Sequence, residues 1–261
     1  MLTLESGSAR LVVAPERGGR IMALSVDGLD LLVTPDVDDH NFGCFPMAPW
    51  AGRIRHGSFD FDGQRYQLPL NNPPHAIHGT ARDHPWREDG EGVISAPLEP
   101  PWPFGGRVVQ RFSLAPNALH LTMEVHATDG PMPVSCGWHP WWRRRAQRGD
   151  QLVVDLHAQA MYRRDGDGIP NGELVPPGPH PWDDCFTSLG DPPAVLHWPG
   201  AATVTLETSC PCVVVFDEPE HAICVEPQSH PPDAFNLDPA VARPGAPVVA
   251  TATWSWQVEN G

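Results

Sequence analysis

The segment Leu119-His-Leu-Thr-Met-Glu-Val-His126 places apolar residues at every odd position and polar ones at every even position. That period of two marks a β-strand with one face in a core and one in water, because successive side chains of an extended chain point to opposite sides. The same alternation closes the chain: Val248, Ala250, Ala252, Trp254, Trp256 and Val258 share one side, with Thr251, Thr253, Ser255 and Gln257 on the other. Between Phe59 and Tyr66 an Asp62-Gly63 pair joins two alternating arms, the signal of a hairpin. Further outward, apolar runs at 10–14, 20–26, 30–33, 65–70, 107–115, 151–158, 203–208, 212–217 and 222–226 read as strands, punctuated by Asp-Gly pairs. No proline-free stretch sustains a helical period, and nothing alternates strand with crossover helix. The pattern predicts an all-β fold, an antiparallel sandwich of two large sheets with few short helices.

Composition agrees. Proline (32) and glycine (24) make up roughly a fifth of the 261 residues, against about 12% in an average protein. The proline-rich stretches 97–103 and 176–181 are flanked by strands without a change of composition, so they read as loops inside a single domain spanning 1–261. All 17 basic residues are arginine. Without lysine there is no Schiff-base chemistry of the pyridoxal or aldolase kind and no phosphate-loop lysine. A formal charge of −15 repels nucleic acid and acidic membrane surfaces and suits a neutral substrate. The start lacks a basic leader with an apolar stretch, and no run approaches the length of a membrane span. Six cysteines without finger-like spacing read as buried, reduced thiols, which points to the cytoplasm.

Three neighbourhoods can carry chemistry. His75-Ala-Ile-His78-Gly79 follows two prolines, which sets two imidazoles on irregular backbone rather than on a metal-binding helix face. In Gly137-Trp-His139-Pro140-Trp141-Trp142, proline biases His139 toward extended backbone, and tryptophan offers the flat apolar surface that suits a sugar ring; of the Trp141 and Trp142 pair, one belongs in the core. Cys224-Val225-Glu226-Pro227-Gln228 ends an apolar strand with a carboxylate, a place to hold a general base. Arg53 can donate two fixed hydrogen bonds to a ligand, or sit in a surface ion pair. Arg143-Arg144-Arg145 reads as a solvated patch more readily than as an anion site.

In combination these stretches resemble the aldose 1-epimerases, also called galactose mutarotases. The resemblance runs from Val13-Ala-Pro-Glu-Arg-Gly-Gly-Arg-Ile21 through Gly52-Arg53-Ile54, Ala76-Ile-His78-Gly79, Gly137-Trp-His139-Pro140, Ile169-Pro-Asn-Gly-Glu173 and Trp182-Asp183-Asp-Cys-Phe186 to Val225-Glu226-Pro-Gln228 and Pro232-Asp-Ala-Phe-Asn236. It implies a β-supersandwich that interconverts the α and β anomers of a free hexose without metal or organic cofactor. Carried over, His139 is the general acid and Glu226 the general base, the two facing each other across one sugar. Arg53, His78 and Asp183 bind the sugar, with Asp184 as the alternative to Asp183, and Trp141 offers it a stacking surface. The expected partner is a monosaccharide, and the protein a monomer or homodimer. Gly52, Thr80, Trp141, Trp142 and Asp184 depart from the family pattern and leave the preferred sugar open.

Three alternatives stand beside this reading. A hexose 6-phosphate mutarotase would recruit some of Arg82, Arg143, Arg144 or Arg145 to the phosphate. A non-catalytic carbohydrate-binding protein would keep the tryptophans and arginine but not the turnover. A metal-dependent enzyme of the same architecture would use His75, His78 and Glu226.

Overall fold

The computed structural model describes residues 1–259; residues 260 and 261, the end of the domain expected over 1–261, lie outside the described part. The fold is 58% strand and 5% helix. Among the described residues, seventeen strands are hydrogen-bonded into one large, curled antiparallel sheet, accompanied by three two-stranded ribbons. The expected layers are therefore stretches of one continuous ladder folded over on itself.

The alternating segments behave as their pattern requires. Ala118–His126 lies between Arg107–Ala115 and Val248–Val258, with Leu121 opposite Phe112 on one side and Ala252 on the other. Leu119, Leu121, Met123 and Val125 are fully buried, while His120 is exposed. Trp254 and Trp256 of the closing strand join the same core, and Trp142 packs edge-on against Trp254 with ring centroids 4.7 Å apart. The hairpin forms as Ser58–Phe61 against Gln64–Gln67. Of the run expected at 30–33, only Asp30 falls within a strand, Leu29–Asp30.

Two strands escape the simple pattern because both contain proline. Gly137–Arg143 is buried over six of its seven residues and runs between Cys44–Met47 and Ala222–Gln228. Asp183–Trp198 pairs first with Cys212–Phe216 and then with Ala202–Thr208. Opposite Val153–Arg164 its register jumps from Leu189 to Ala194, so residues 190–193 bulge out where Pro192 and Pro193 owe the ladder no hydrogen bond.

The arginine run is solvated only at Arg145, which is exposed; Arg143 and Arg144 are half-buried. Arg143 donates to Leu32 O and Thr34 Oγ1, and Arg144 donates to the carbonyls of Asp217 and Pro219, so both tie loops to the sheet. All six cysteines are buried. Among the described residues no helix is long and apolar enough to cross a membrane.

Candidate active site

The ladder assembles the site. Phe45 is paired with His139, Glu226 with Val214, and Val214 with Cys185, while the pairs Gly137 with Gln228 and Trp141 with Cys224 put His139 directly opposite Glu226. Side chains in one cross-strand row share a face of the sheet. Phe45, His139, Glu226, Val214 and Cys185 thus form one row, and Trp141, Cys224, Phe216 and Asp183 form the next. Residues that are remote in the chain meet because four β-pairings in succession bring them into line.

Over this face lies a cavity of about 310 Å³, at the small end of ligand pockets. Arg53, His78, His139, Asp183 and Glu226 all line it, so five of the six expected site residues are brought together. Trp141 is placed elsewhere. Its ring stacks on the imidazole of His139 at 4.9 Å and is 6% exposed, so it touches the histidine rather than the cavity. Phe45 stacks on the same imidazole at 4.6 Å, and His78 meets it edge-on at 5.1 Å.

His139 Nε2 lies 3.1 Å from Glu226 Oε1, and Gln228 Nε2 donates to Glu226 Oε2 at 3.0 Å. The two groups do not face each other across a sugar as expected: at 3.1 Å they leave no room for a ring between them, and they lie side by side beneath one cavity. Both are almost wholly buried, which penalises charge on each. Burial first, and then the charge of Asp183, raise the Glu226 carboxyl well above its ordinary range, against the opposing effects of Gln228 and Arg53. Burial, with Arg82 and Arg20 nearby, lowers the His139 imidazole to about 3. The pair therefore rests as a neutral couple holding one transferable proton between carboxyl and imidazole. Burial likewise depresses His78, aided by His139, Arg82 and Arg53.

The opposite wall is ionic. Arg53 Nη1 and Arg164 Nη1 approach Asp183 Oδ2 at 3.6 and 3.7 Å, and Arg164 Nε contacts Asp184 Oδ1 at 2.8 Å. Burial raises the Asp183 carboxyl, and the two guanidinium groups partly offset that. Arg164, Gln228 and Phe216 were not among the expected site residues; Gln228, two residues after Glu226 on the same strand, was the one that strand periodicity alone could have flagged.

The departures from the family pattern have local reasons. Gly52 has φ +66° and packs under Pro232, whose Cβ and Cγ would lie 2.7 Å from any added Cβ. Thr80 has φ −113°, a conformation open to every residue, so no glycine is needed there.

The metal set His75, His78 and Glu226 is not assembled: His75 Nδ1 accepts from the backbone N–H of His56, away from the cavity lining. Potential ligand atoms of His139, Cys224 and Glu226 do lie within 4.8 Å of one another. The positive charges of Arg20 and Arg82, which already disfavour a proton on His139, oppose a cation there as well.

A curled antiparallel β-sandwich thus carries an imidazole and a carboxyl in contact at the base of one small cavity. The sequence profile of the aldose 1-epimerases matches residues 1–252, and the chain belongs to that family. The uncharacterized protein YphB of Escherichia coli K12 is 26% identical over 270 residues, covering 88% of each chain. Galactose mutarotase of Sus scrofa is 28% identical over 138 residues, 48% of this chain and 40% of that protein. Among solved structures, a galactose mutarotase-like protein from Clostridium acetobutylicum superposes with a TM-score of 0.86 at 17% identity, covering 98% of this chain and 95% of the other. Galactose 1-epimerase from Lactobacillus acidophilus gives 0.83 at 17%, covering 99% and 94%. At such identities the structural likeness speaks for the fold.

Proposed function

We propose that the protein is an aldose 1-epimerase that interconverts the anomers of a free hexose by acid–base ring opening, without a cofactor. The observation that carries this reading is the 3.1 Å contact between His139 and Glu226 under the cavity. In a cyclic hemiacetal the anomeric hydroxyl oxygen and the ring oxygen are bonded to the same carbon, C1. A proton must leave one as another reaches the other, so acid and base have to be neighbours, and a pair in contact meets that demand. The proton that the pair shares first passes from Glu226 to His139 across their contact; Glu226, now a carboxylate assisted by Gln228 and Arg53, takes the hydroxyl proton while His139, now an imidazolium, delivers its proton to the ring oxygen. The C1–O5 bond breaks, the aldehyde turns about C1–C2, and closure runs with the roles exchanged. The pair ends with the proton count it began with. His78, Arg53 and Asp183 hold the sugar, and the stack of Phe45 and Trp141 on His139 fixes the plane of the imidazole.

A neutral sugar is favoured over a hexose 6-phosphate. Arg143 and Arg144 spend their donors on loop carbonyls and Thr34, and Arg82 lies over the ring of Phe45. Of the arginines, Arg53 and Arg164 line the cavity, and both already face aspartates. We take the described chain as one functional unit, since its ladder runs from Leu2–Ser6 to Val248–Val258.

Polarimetry on a freshly dissolved α-anomer tests the proposal. The wild-type protein is expected to speed equilibration of a hexose, and Glu226→Gln and His139→Ala each to lose about 10²–10⁴ of that rate, the usual worth of a positioned proton transfer. A wild-type protein that follows the uncatalysed rate on every common hexose overturns it.

A further inference from the structure

Asp183 stands in an unusual electrostatic position. Two guanidinium groups approach the same oxygen, Oδ2, at 3.6 Å from Arg53 and 3.7 Å from Arg164. Both distances exceed hydrogen-bond length. Among the described residues no hydrogen bond reaches either oxygen of this carboxylate, although the side chain is only 27% exposed. A carboxylate so enclosed is normally satisfied by partners; here it opens onto the cavity.

Arg164 is held differently from Arg53. Its Nε contacts Asp184 Oδ1 at 2.8 Å and its Nη2 reaches Asp184 Oδ2 at 3.5 Å, so the guanidinium is gripped along one edge by a nearly buried carboxylate. A fork held along one edge has a fixed orientation, and the remaining nitrogen, Nη1, is turned toward Asp183. Asp183 and Asp184 are consecutive strand residues and point to opposite sides, and Arg164 at the end of Val153–Arg164 reaches both.

A sugar hydroxyl both donates and accepts one hydrogen bond readily. Placed between a carboxylate and a guanidinium that are just too far apart to bond each other, it donates to the first and accepts from the second. With one carboxylate and two flanking guanidiniums there are two such places, side by side. We propose that Arg164, clamped by Asp184, is a specificity-determining residue, the second arm of a reader that recognises two adjacent sugar hydroxyls: one between Arg53 and Asp183, the other between Arg164 and Asp183. The ligand class is a neutral aldose with a vicinal diol on ring carbons away from C1, because C1 lies over His139 and Glu226. A carboxylate or phosphate in that place would meet Asp183 at close range. This rests on the proposed function for the placement of C1.

The test pairs deletions in the protein with deletions in the ligand. Binding of glucose and its 2-, 3- and 4-deoxy analogues is measured by titration calorimetry, and anomer exchange by polarimetry, for wild type, Arg164→Met and Asp184→Asn. In the wild type, loss of either read hydroxyl is expected to weaken binding about tenfold, the typical worth of one hydrogen bond to a charged group. Arg164→Met is expected to weaken glucose binding by a similar factor and raise KM with kcat little changed. In that variant one particular deoxy sugar carries no further penalty while the other analogues keep theirs. Asp184→Asn, which leaves the cavity lining intact but loosens the clamp, shifts the same sugar in the same direction by less. If every deoxy sugar shows the same penalty in Arg164→Met as in wild type, Arg164 reads no hydroxyl and the inference fails even though the enzyme turns over. If the wild type binds sugars with this pattern but exchanges no anomers, the reader stands and the mutarotase reading falls. If the wild type binds none of these sugars, both fall.

Discussion

His139 and Glu226 are each driven toward the uncharged form, from opposite ends of the pH scale, and that has a cost in stability with a definite sign. The Glu226 carboxyl is raised above its ordinary 4.5, so the folded chain keeps a proton that the unfolded chain releases. Its contribution is complete below about pH 4.5 and is lost as pH rises. The His139 imidazole is lowered from 6.5 to about 3, so the folded chain refuses a proton that the unfolded chain takes. Its contribution is present above about 6.5 and is lost as pH falls toward 3. At neutral pH the glutamate is the destabilising member, and Glu226→Gln, which removes its ionisation, is expected to raise the melting temperature by about 2–4 °C or more at pH 7.5, with the gain disappearing near pH 4. Thermal melts across that range check it; a uniform loss of stability would mean that the carboxyl is not held protonated. At this scale the sequence exposed the acid–base pair because each member precedes a proline, His139-Pro140 and Glu226-Pro227, in an otherwise apolar strand. Arg164 stayed hidden: in Met161-Tyr-Arg-Arg-Asp165 it looks like the wet end of a strand, and only the fold sets Asp183 and Asp184 beside it.

At the scale of elements, the site depends on loops that press backbone against backbone. Gly79 follows His78 with φ +72°, and an added Cβ would lie 2.0 Å from the carbonyl oxygen of Ala48, to which Gly79 is bridged. His78 itself has φ +60°, so the backbone strain of the turn sits at the histidine, and the turn is held by Thr80 and Ala81 donating to the same Ala48 carbonyl. Gly79→Ala is expected to destabilise by about 1–3 kcal/mol and to weaken sugar binding, because the turn cannot relax without moving His78 off the cavity wall. Denaturant unfolding together with calorimetry measures both; an alanine variant of wild-type stability would show that the Ala48 contact yields easily. A comparable brace ties the loops whose Gly168 and Pro232 line the cavity. Arg55 joins Asp165, Asp167 and Asp233, tying the segment after Arg53 to the turn after Arg164. Neither the brace nor the strands Gly137–Arg143 and Asp183–Trp198 could be read from local pattern, since proline breaks the alternation by which strands are recognised and bulges are placed by partners distant in the chain.

At the scale of the molecule, alternation along 119–126 and 248–258 was enough for an all-β reading, and the supersandwich followed from the likeness of scattered motifs. That its layers form one ladder was not visible, because pairings such as Ala118–His126 with Val248–Val258 join segments more than a hundred residues apart. The net charge of −15 acts at this scale too. It leaves the approach of a neutral sugar untouched but repels a dianionic one, and the repulsion is screened as the Debye length shrinks from about 30 Å at 0.01 M salt to about 8 Å at 0.15 M. For a free hexose kcat/KM is therefore expected to stay flat across that range. For a hexose 6-phosphate it is expected to be lower and to rise severalfold with salt, since Arg53 and Arg164 are already matched by Asp183 and Asp184 and offer little net attraction. Polarimetric rates on glucose and glucose 6-phosphate at the two salt concentrations measure the contrast. Activity on the phosphate that is higher at low salt and falls as salt is added would mean that a local cluster of arginines overrides the global field, and would move the substrate from neutral to phosphorylated sugars.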